Sequence, residues 1–286
     1  MLLLVDSGST KADWRGVNEE GTQIVSVITE GLNPYFSSRE KIITTIREKV
    51  LPVVDHVEKV FFYGAGCGLP VKANQVKEAL DATINARIPS EVSGDIFAAA
   101  RSLLQDREGI ACILGTGANS CLYDGRNITG IMPSLGYMFS DWGSGTVMSK
   151  DLIALMLQQE LPSGLLKDFD DTYKLTRPEI LDHIYNKPLP NRFLASFTPF
   201  LLKYAEEPAC NEIISYNFRR FFSYYVLRYP YNKTDIKVSF TGSIAYRFQK
   251  YLMKAADEMG IEIEKIVQHP MDGLVKYHCV TVPVTG

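Results

Sequence analysis

The chain has 286 residues, 46% of them hydrophobic and 22% charged, and a net charge of −3 at pH 7. That length allows two domains, each with a core of its own, and the composition is that of a globular protein rather than a disordered or fibrous one. So small an acidic excess argues against nucleic acid or an anionic membrane surface as the partner and leaves small molecules.

Leu2 to Val5 is an apolar run that predicts a strand buried on both faces. It is too short for a signal peptide or a membrane span. The run delivers Asp6 into Ser7-Gly8-Ser9-Thr10-Lys11. Gly8 can take φ > 0 and lets backbone N–H groups approach a ligand, while hydroxyls and the Lys11 ammonium add donors, a combination suited to phosphate. Asp6 is then a candidate ligand for Mg²⁺, directly or through water. A Walker loop would need GxxxxGK[ST] and a helix directly after it. Here Lys11 to Val17 stays extended, Asn18 to Gly21 turns and Thr22 to Ile28 alternates, so the glycine turn joins antiparallel strands. An ordinary hairpin, whose Asp and Ser satisfy turn N–H groups, accounts for the same residues.

Gly31-Leu32-Asn33-Pro34 predicts a loop, and Ser37 with Glu40 predicts a capping box opening a helix to Val50. Val57 to Tyr63 predicts a strand ending in the glycine turn Gly64 to Gly68, and such C-terminal strand edges are where ligands bind in helix-flanked sheets. A helix over 73–85 and a short strand over 88–92 follow. Asp95 then opens the helix 96–104, where a plain N-cap is the simplest role for it.

The opening pattern recurs at residue 110. Ile110 to Leu114 is apolar, Gly115-Thr116-Gly117-Ala118-Asn119-Ser120 is a small polar turn, and two further strands end near Met132. This long-period similarity predicts two related domains, 1–108 and 109–286, with the last helix free to pack back on the first. A glycine-rich stretch containing Asp141 precedes a helix over 146–160. Residues 165–231 are helical by periodicity and rich in aromatics, read as packing, with a contact in a homodimer as the lesser reading. Ile236 to Phe240 predicts a strand running into Gly242-Ser243, whose helix suits a nucleotide's sugar or adjoining phosphate. A strand over 262–267 and a closing helix complete the chain.

The cysteines, Cys67, Cys112, Cys121, Cys210 and Cys279, form no CxxC pair, which argues against a zinc ribbon or a disulfide framework and predicts a reducing, cytoplasmic setting. His56, His183, His269 and His278 show no metal-ligand spacing and read as surface or core histidines.

In their order, DSGSTK, the Gly64–Gly68 turn, Asp95 at a helix start, GTGANS and FTGSIA resemble the sugar kinase, heat-shock chaperone and actin superfamily. Within it the chain is most similar to the N-acetylglucosamine kinase branch of the BadF/BadG/BcrA/BcrD ATPase-like family, to which GLNP, LGYMFSDWGSG and HPMDGLVKYH also point. The resemblance implies an α/β fold of two ribonuclease H-like domains flanking a nucleotide cleft, with a helical insertion in the second. It implies transfer of the γ-phosphate of ATP, with Mg²⁺, to the 6-hydroxyl of an amino sugar. Asp95 would be the general base. Phosphate contacts fall on Asp6, Gly8, Ser9, Thr10, Lys11, Gly115, Thr116 and Gly117. Sugar contacts fall on Asn33, Thr116, Gly117, Asn119 and Asp141, and adenosine contacts on Gly242 and Ser243. Trp142 stands where the family has Glu. An ATPase activator of a 2-hydroxyacyl-CoA dehydratase, with its iron–sulfur cluster, and a non-catalytic sensor of nucleotide or sugar are the competing readings.

Overall fold

The computed structural model describes all residues except 9, 231–236 and 281–286. Its contacts divide the chain into two units, one comprising Met1–Glu108, Tyr123–Ile128 and His269–Gly286, the other Gly109–Leu122 and Thr129–Gln268.

The first unit holds β1 (Leu2–Ser7), β2 (Lys11–Val17), β3 (Gln23–Glu30), α1 (Arg39–Thr45), β4 (Lys59–Gly64), α2 (Pro70–Asp81), β5 (Glu91–Gly94) and α3 (Asp95–Leu104). The sheet order is β3-β2-β1-β4-β5, with β1 antiparallel to β2 and parallel to β4. The four-residue apolar run is explained by this central place. Leu3 and Val5 enter a core with Trp14 and Phe62, and Leu4 enters a second core on the other face with Tyr63, Ala98 and Leu274.

The second unit repeats the plan. It contains β6 (Glu108–Leu114), β7 (Ala118–Asp124), β8 (Ile128–Ile131), α4 (Gly145–Leu157), the inserted helices α5 (Ser163–Tyr173), α6 (Arg177–Tyr185), α7 (Pro190–Ala195), α8 (Thr198–Lys203) and α9 (Pro208–Phe221), then β9 (Val238–Thr241), α10 (Ser243–Arg247), α11 (Gln249–Glu258) and β10 (Ile263–Val267). Its order, β10-β9-β6-β7-β8, is the first unit's order with each strand replaced by its counterpart, as expected of two ribonuclease H-like domains. The aromatics of the insertion, Phe169, Phe197, Phe200, Phe218, Phe221 and Phe222, are buried in one core with Phe240 of β9.

The final helix, α12 (Met271–Val280), belongs to the first unit and packs on α3 and β1. A Cβ at Gly273 would collide with Ser102, so the two helices approach at a distance only glycine allows there.

Several boundaries differ from expectation. Ser38, not Ser37, caps α1, accepting from Lys41 N–H, because Ser37 N–H is still bonded to Asn33 O in the preceding turn. The helix 73–85 begins earlier, at Pro70, where a missing N–H costs nothing. The strand 88–92 begins at Glu91. Phe248, buried at φ −100°, divides the helix after Gly242 into α10 and α11. Ile236 and Tyr231 lie outside the described residues. No described helix is long and apolar enough to cross a membrane.

Candidate active site

In the first unit Asp6 stands near the end of β1, opposite Asp13 on β2. Facing residues of an antiparallel pair share one side of the sheet, so the two carboxylates are neighbours. Burial pushes the Asp6 carboxyl up to about 7, the negative charges of Asp95 and Asp13 add to this, and Lys11 offsets part of it. Asp13 Oδ1 is buried with no hydrogen-bond partner.

Asp95 is not the cap of α3. Gly94 holds that position, and Asp95 is the first helical residue. Burial raises its carboxyl above the usual range, while its own N–H and that of Ile96 restrain the shift. The glycine turn after β4 lies alongside: a Cβ at Gly94 would touch Gly68 Cα at 3.5 Å, whereas a Cβ at Gly68 would meet nothing within 4 Å. Backbone is therefore open at Gly68, beside the start of α3. Gly66, at φ +85°, packs so closely on Asn33 that a Cβ would strike its Oδ1. Asn33 is buried, and its Oδ1 already accepts Tyr35 N–H at 2.9 Å. Its amide nitrogen is the group left for a ligand.

The turn between β1 and β2 closes through Gly8 N–H to Lys11 O at 3.0 Å, with Thr10 and Lys11 exposed. The Ser7 hydroxyl does not serve the turn. It is buried and accepts Leu32 N–H at 3.0 Å. Ser9 lies outside the described residues.

In the second unit Gly115, Thr116 and Gly117 join β6 to β7. The start of α4 takes up the turn's carbonyls: Gly145 N–H donates to Gly115 O at 2.9 Å, and Thr146 Oγ1 to Thr116 O at 2.6 Å. A Cβ at Gly115 would meet nothing within 4 Å, so there is open space beside the turn at that residue. Asp141, at φ +60°, is held by its N–H to Tyr225 Oη at 3.1 Å and its O from Ser144 N–H at 3.0 Å. Its Oδ2 would lie 3.2 Å from a Cβ at Gly117, its Oδ1 is buried without a partner, and burial pushes its carboxyl up to about 6. Gly242, at φ +121°, lies so close to Leu114 O that no Cβ fits, which puts Gly242 and Ser243 beside the start of the same turn. Asn119 spends its Oδ1 on Ser120 N–H at 2.9 Å.

The first unit thus brings together Asp6, Lys11, Asp95 and, through the Gly66–Gly68 turn, Asn33. The second brings together the Gly115–Gly117 turn, Asp141, Gly242 and Ser243. The sequence did not single out Asp13, and it read His269 as a surface or core histidine. His269 lies within electrostatic range of Lys11 and Asp13. Trp142 packs at a tilt against Tyr224, ring centroids 4.4 Å apart, under the Arg220 guanidinium. Cys67, Cys112, Cys121 and Cys210 are buried, and burial pushes their thiols up, to about 12 for Cys67 and Cys121, so none is an accessible thiolate for a cluster.

No family model matches the chain, and no curated protein matches it. Solved structures do. A Porphyromonas gingivalis protein provisionally named N-acetylglucosamine kinase is 41% identical, over 99% of this chain and 100% of that one, at a TM-score of 0.93. A Chromobacterium violaceum protein of the same provisional name is 15% identical, over 96% and 98%, at 0.74. A ROK family glucokinase from Streptomyces griseus, in complex with glucose and AMPPNP, is 14% identical, over 96% and 97%, at 0.54. The last two are likenesses of fold.

Proposed function

We infer the activity from one premise: the chain belongs to the N-acetylglucosamine kinase-like family of the sugar kinase, heat-shock chaperone and actin superfamily. On this reading it is a carbohydrate kinase that transfers the γ-phosphate of ATP to the 6-hydroxyl of an amino sugar, N-acetylglucosamine or glucosamine. The observation that carries the reading is the pair of desolvated carboxylates, Asp6 and Asp95, close enough for the charge of one to raise the other.

Asp95 is the general base. As the sugar oxygen bonds to the γ-phosphorus and the bond to ADP breaks, the hydroxyl proton passes to an Asp95 carboxylate oxygen. Desolvation suits it to this role, since a carboxylate with a raised pKa is a stronger base than an ordinary surface aspartate. Gly8, Ser9, Thr10 and Lys11 in the first unit, and Gly115, Thr116 and Gly117 in the second, are each a turn with the backbone N–H groups and hydroxyls that phosphate calls for, and Lys11 adds one ammonium. Gly242 and Ser243 face the adenosine side. Asn33 offers its amide nitrogen to the sugar, and Asp141 its unpartnered Oδ1, beside Thr116, Gly117 and Asn119.

Mg²⁺ fits this donor set: Asp6 and Asp13 present neighbouring oxygens, one of them buried without a partner, and the charge they share is what a hard cation relieves. Asp6 would hold it, with Asp13 beside it, and the ion would supply neutralisation of phosphate charge.

The test is a screen of ATP against amino sugars and hexoses, following ADP release and locating the phosphate on the product by ³¹P–¹H NMR. The expected result is turnover with N-acetylglucosamine or glucosamine and a 6-phosphate product. Sugar binding by calorimetry without sugar-dependent ADP release would overturn the kinase reading in favour of a sensor.

A further inference from the structure

Arg192 stands apart from the other partly buried arginines. Arg15 pairs with Asp272, Arg101 with Glu91, and Arg219 with Glu212, while Arg220 lies over Trp142 and donates to Tyr216 Oη. Among the described residues Arg192 has no acidic partner and no aromatic ring against its guanidinium, and its Nε, like those of Arg15, Arg101 and Arg220, is shut from solvent with no acceptor. A cation carried partly out of water without a counter-charge is disfavoured, and an anionic ligand is what would complete it.

The attachment of its segment points to the anion. Arg192 lies on α7, and the residue before it is tied to the glycine turn of the second unit. Thr146 Oγ1 lies 2.6 Å from Thr116 O and 3.1 Å from Asn191 O, so one hydroxyl proton is shared between the turn and the start of α7. The chain enters α7 through Leu189 at φ 59°, ψ 48°, a left-handed conformation unfavourable for a branched side chain, followed at once by Pro190. Surrounding contacts therefore hold the segment where local preference would not.

We propose that Arg192 is the cation of the second unit's phosphate site, pairing with the β- and γ-phosphates of the nucleotide at Gly115–Gly117. The proposal rests on the kinase reading for the identity of the ligand. It gives the inserted helices a part in nucleotide binding, and it supplies a planar fork of donors to a turn that otherwise offers backbone and one hydroxyl.

Calorimetric titration of the parent chain and of Arg192→Ala, Arg192→Lys and Arg192→Gln with Mg²⁺–ATP, tripolyphosphate and AMP tests this. Arg192→Ala should bind ATP and tripolyphosphate at least about 10-fold more weakly, with AMP changed by less than about 2-fold, and Arg192→Lys should lie between it and the parent. Unchanged ATP affinity, or equal losses for ATP and AMP, would overturn the assignment. Should Arg192→Ala not fold, the comparison of Lys with Gln decides: equal ATP affinities in those two contradict a charge contact. Sugar-dependent ADP release by the parent is measured beside these. If it is missing while the loss of triphosphate binding persists, the kinase reading fails and the anion site stands. If it is present while ATP affinity is indifferent to Arg192, the reverse holds.

Discussion

Asp6 combines a cost to the fold with its proposed use. Its carboxyl titrates near 7 in the folded chain against 3.8 in an ordinary setting, so across that interval the folded state holds a proton that the unfolded state has released. Stability contributed by this group is complete below pH 3.8 and is lost as pH rises through about 7, by up to about 4 kcal/mol at the upper end. Asp6→Asn keeps the shape and removes the charge. Without divalent cations, the variant should melt above the parent at pH 8 and with it at pH 4, and a gap of equal size at both pH values would refute the desolvated carboxylate. Part of this site is legible in the sequence, because an acid at the end of an apolar run, followed by a glycine, is placed at a strand's edge by local rules alone. Asp13 is not, since its approach to Asp6 depends on the register of two strands. The spent hydroxyl of Ser7 and the spent Oδ1 of Asn33 are equally hidden, because each bonds to a backbone N–H whose direction is set by the loop at 31–35.

At the scale of the element, α12 is docked through a polar network inside the first unit. Arg101 of α3 donates to Tyr63 Oη at 2.6 Å and to Glu91 Oε1 at 3.0 Å, and Lys59 donates to Glu91 Oε2 at 3.2 Å. Tyr63 Oη also shares a hydrogen bond with His278 Nε2 at 2.8 Å. Burial, with Arg101 second, pushes the imidazole down to about 3. A lowered histidine pKa means that the undocked helix takes up the proton first, so docking weakens as pH falls below 6.5 and loses about 2 kcal/mol by pH 5, a factor of about 30. Hydrogen exchange of the Met271–Val280 amides, corrected for intrinsic rates, should show that loss of protection between pH 7.5 and 5, and His278→Gln should abolish the difference. Protection that does not change with pH in the parent would contradict it. The sequence allows this helix to pack back on the first domain but hides the contacts that dock it, because the histidine shows no spacing that marks it and its partners stand more than 170 positions earlier. Helix starts at 38 and 70 were misjudged by one and three residues, where a turn bond and a proline settle the boundary.

For the whole molecule, the duplicated order of strands was the most legible feature. Strand, small polar turn and strand recur at residues 2 and 110 because each sheet must bury a central strand and bring a close-approaching turn to its end. The composition of the 165–231 segment announces a helical insertion with an aromatic core, whereas the tie from Thr146 to Asn191 that joins it to the glycine turn is visible only in three dimensions. In the proposed reaction Asp95 is the general base, and the kinase reading is tested most sharply at that residue. The most direct measurement is ADP release by the parent and by Asp95→Asn, with and without N-acetylglucosamine or glucosamine, beside sugar affinity by calorimetry. The account predicts sugar-dependent release in the parent, slowed by at least about 10²-fold in the variant while sugar affinity is retained. Equal rates in the two proteins, or release indifferent to sugar, would contradict it.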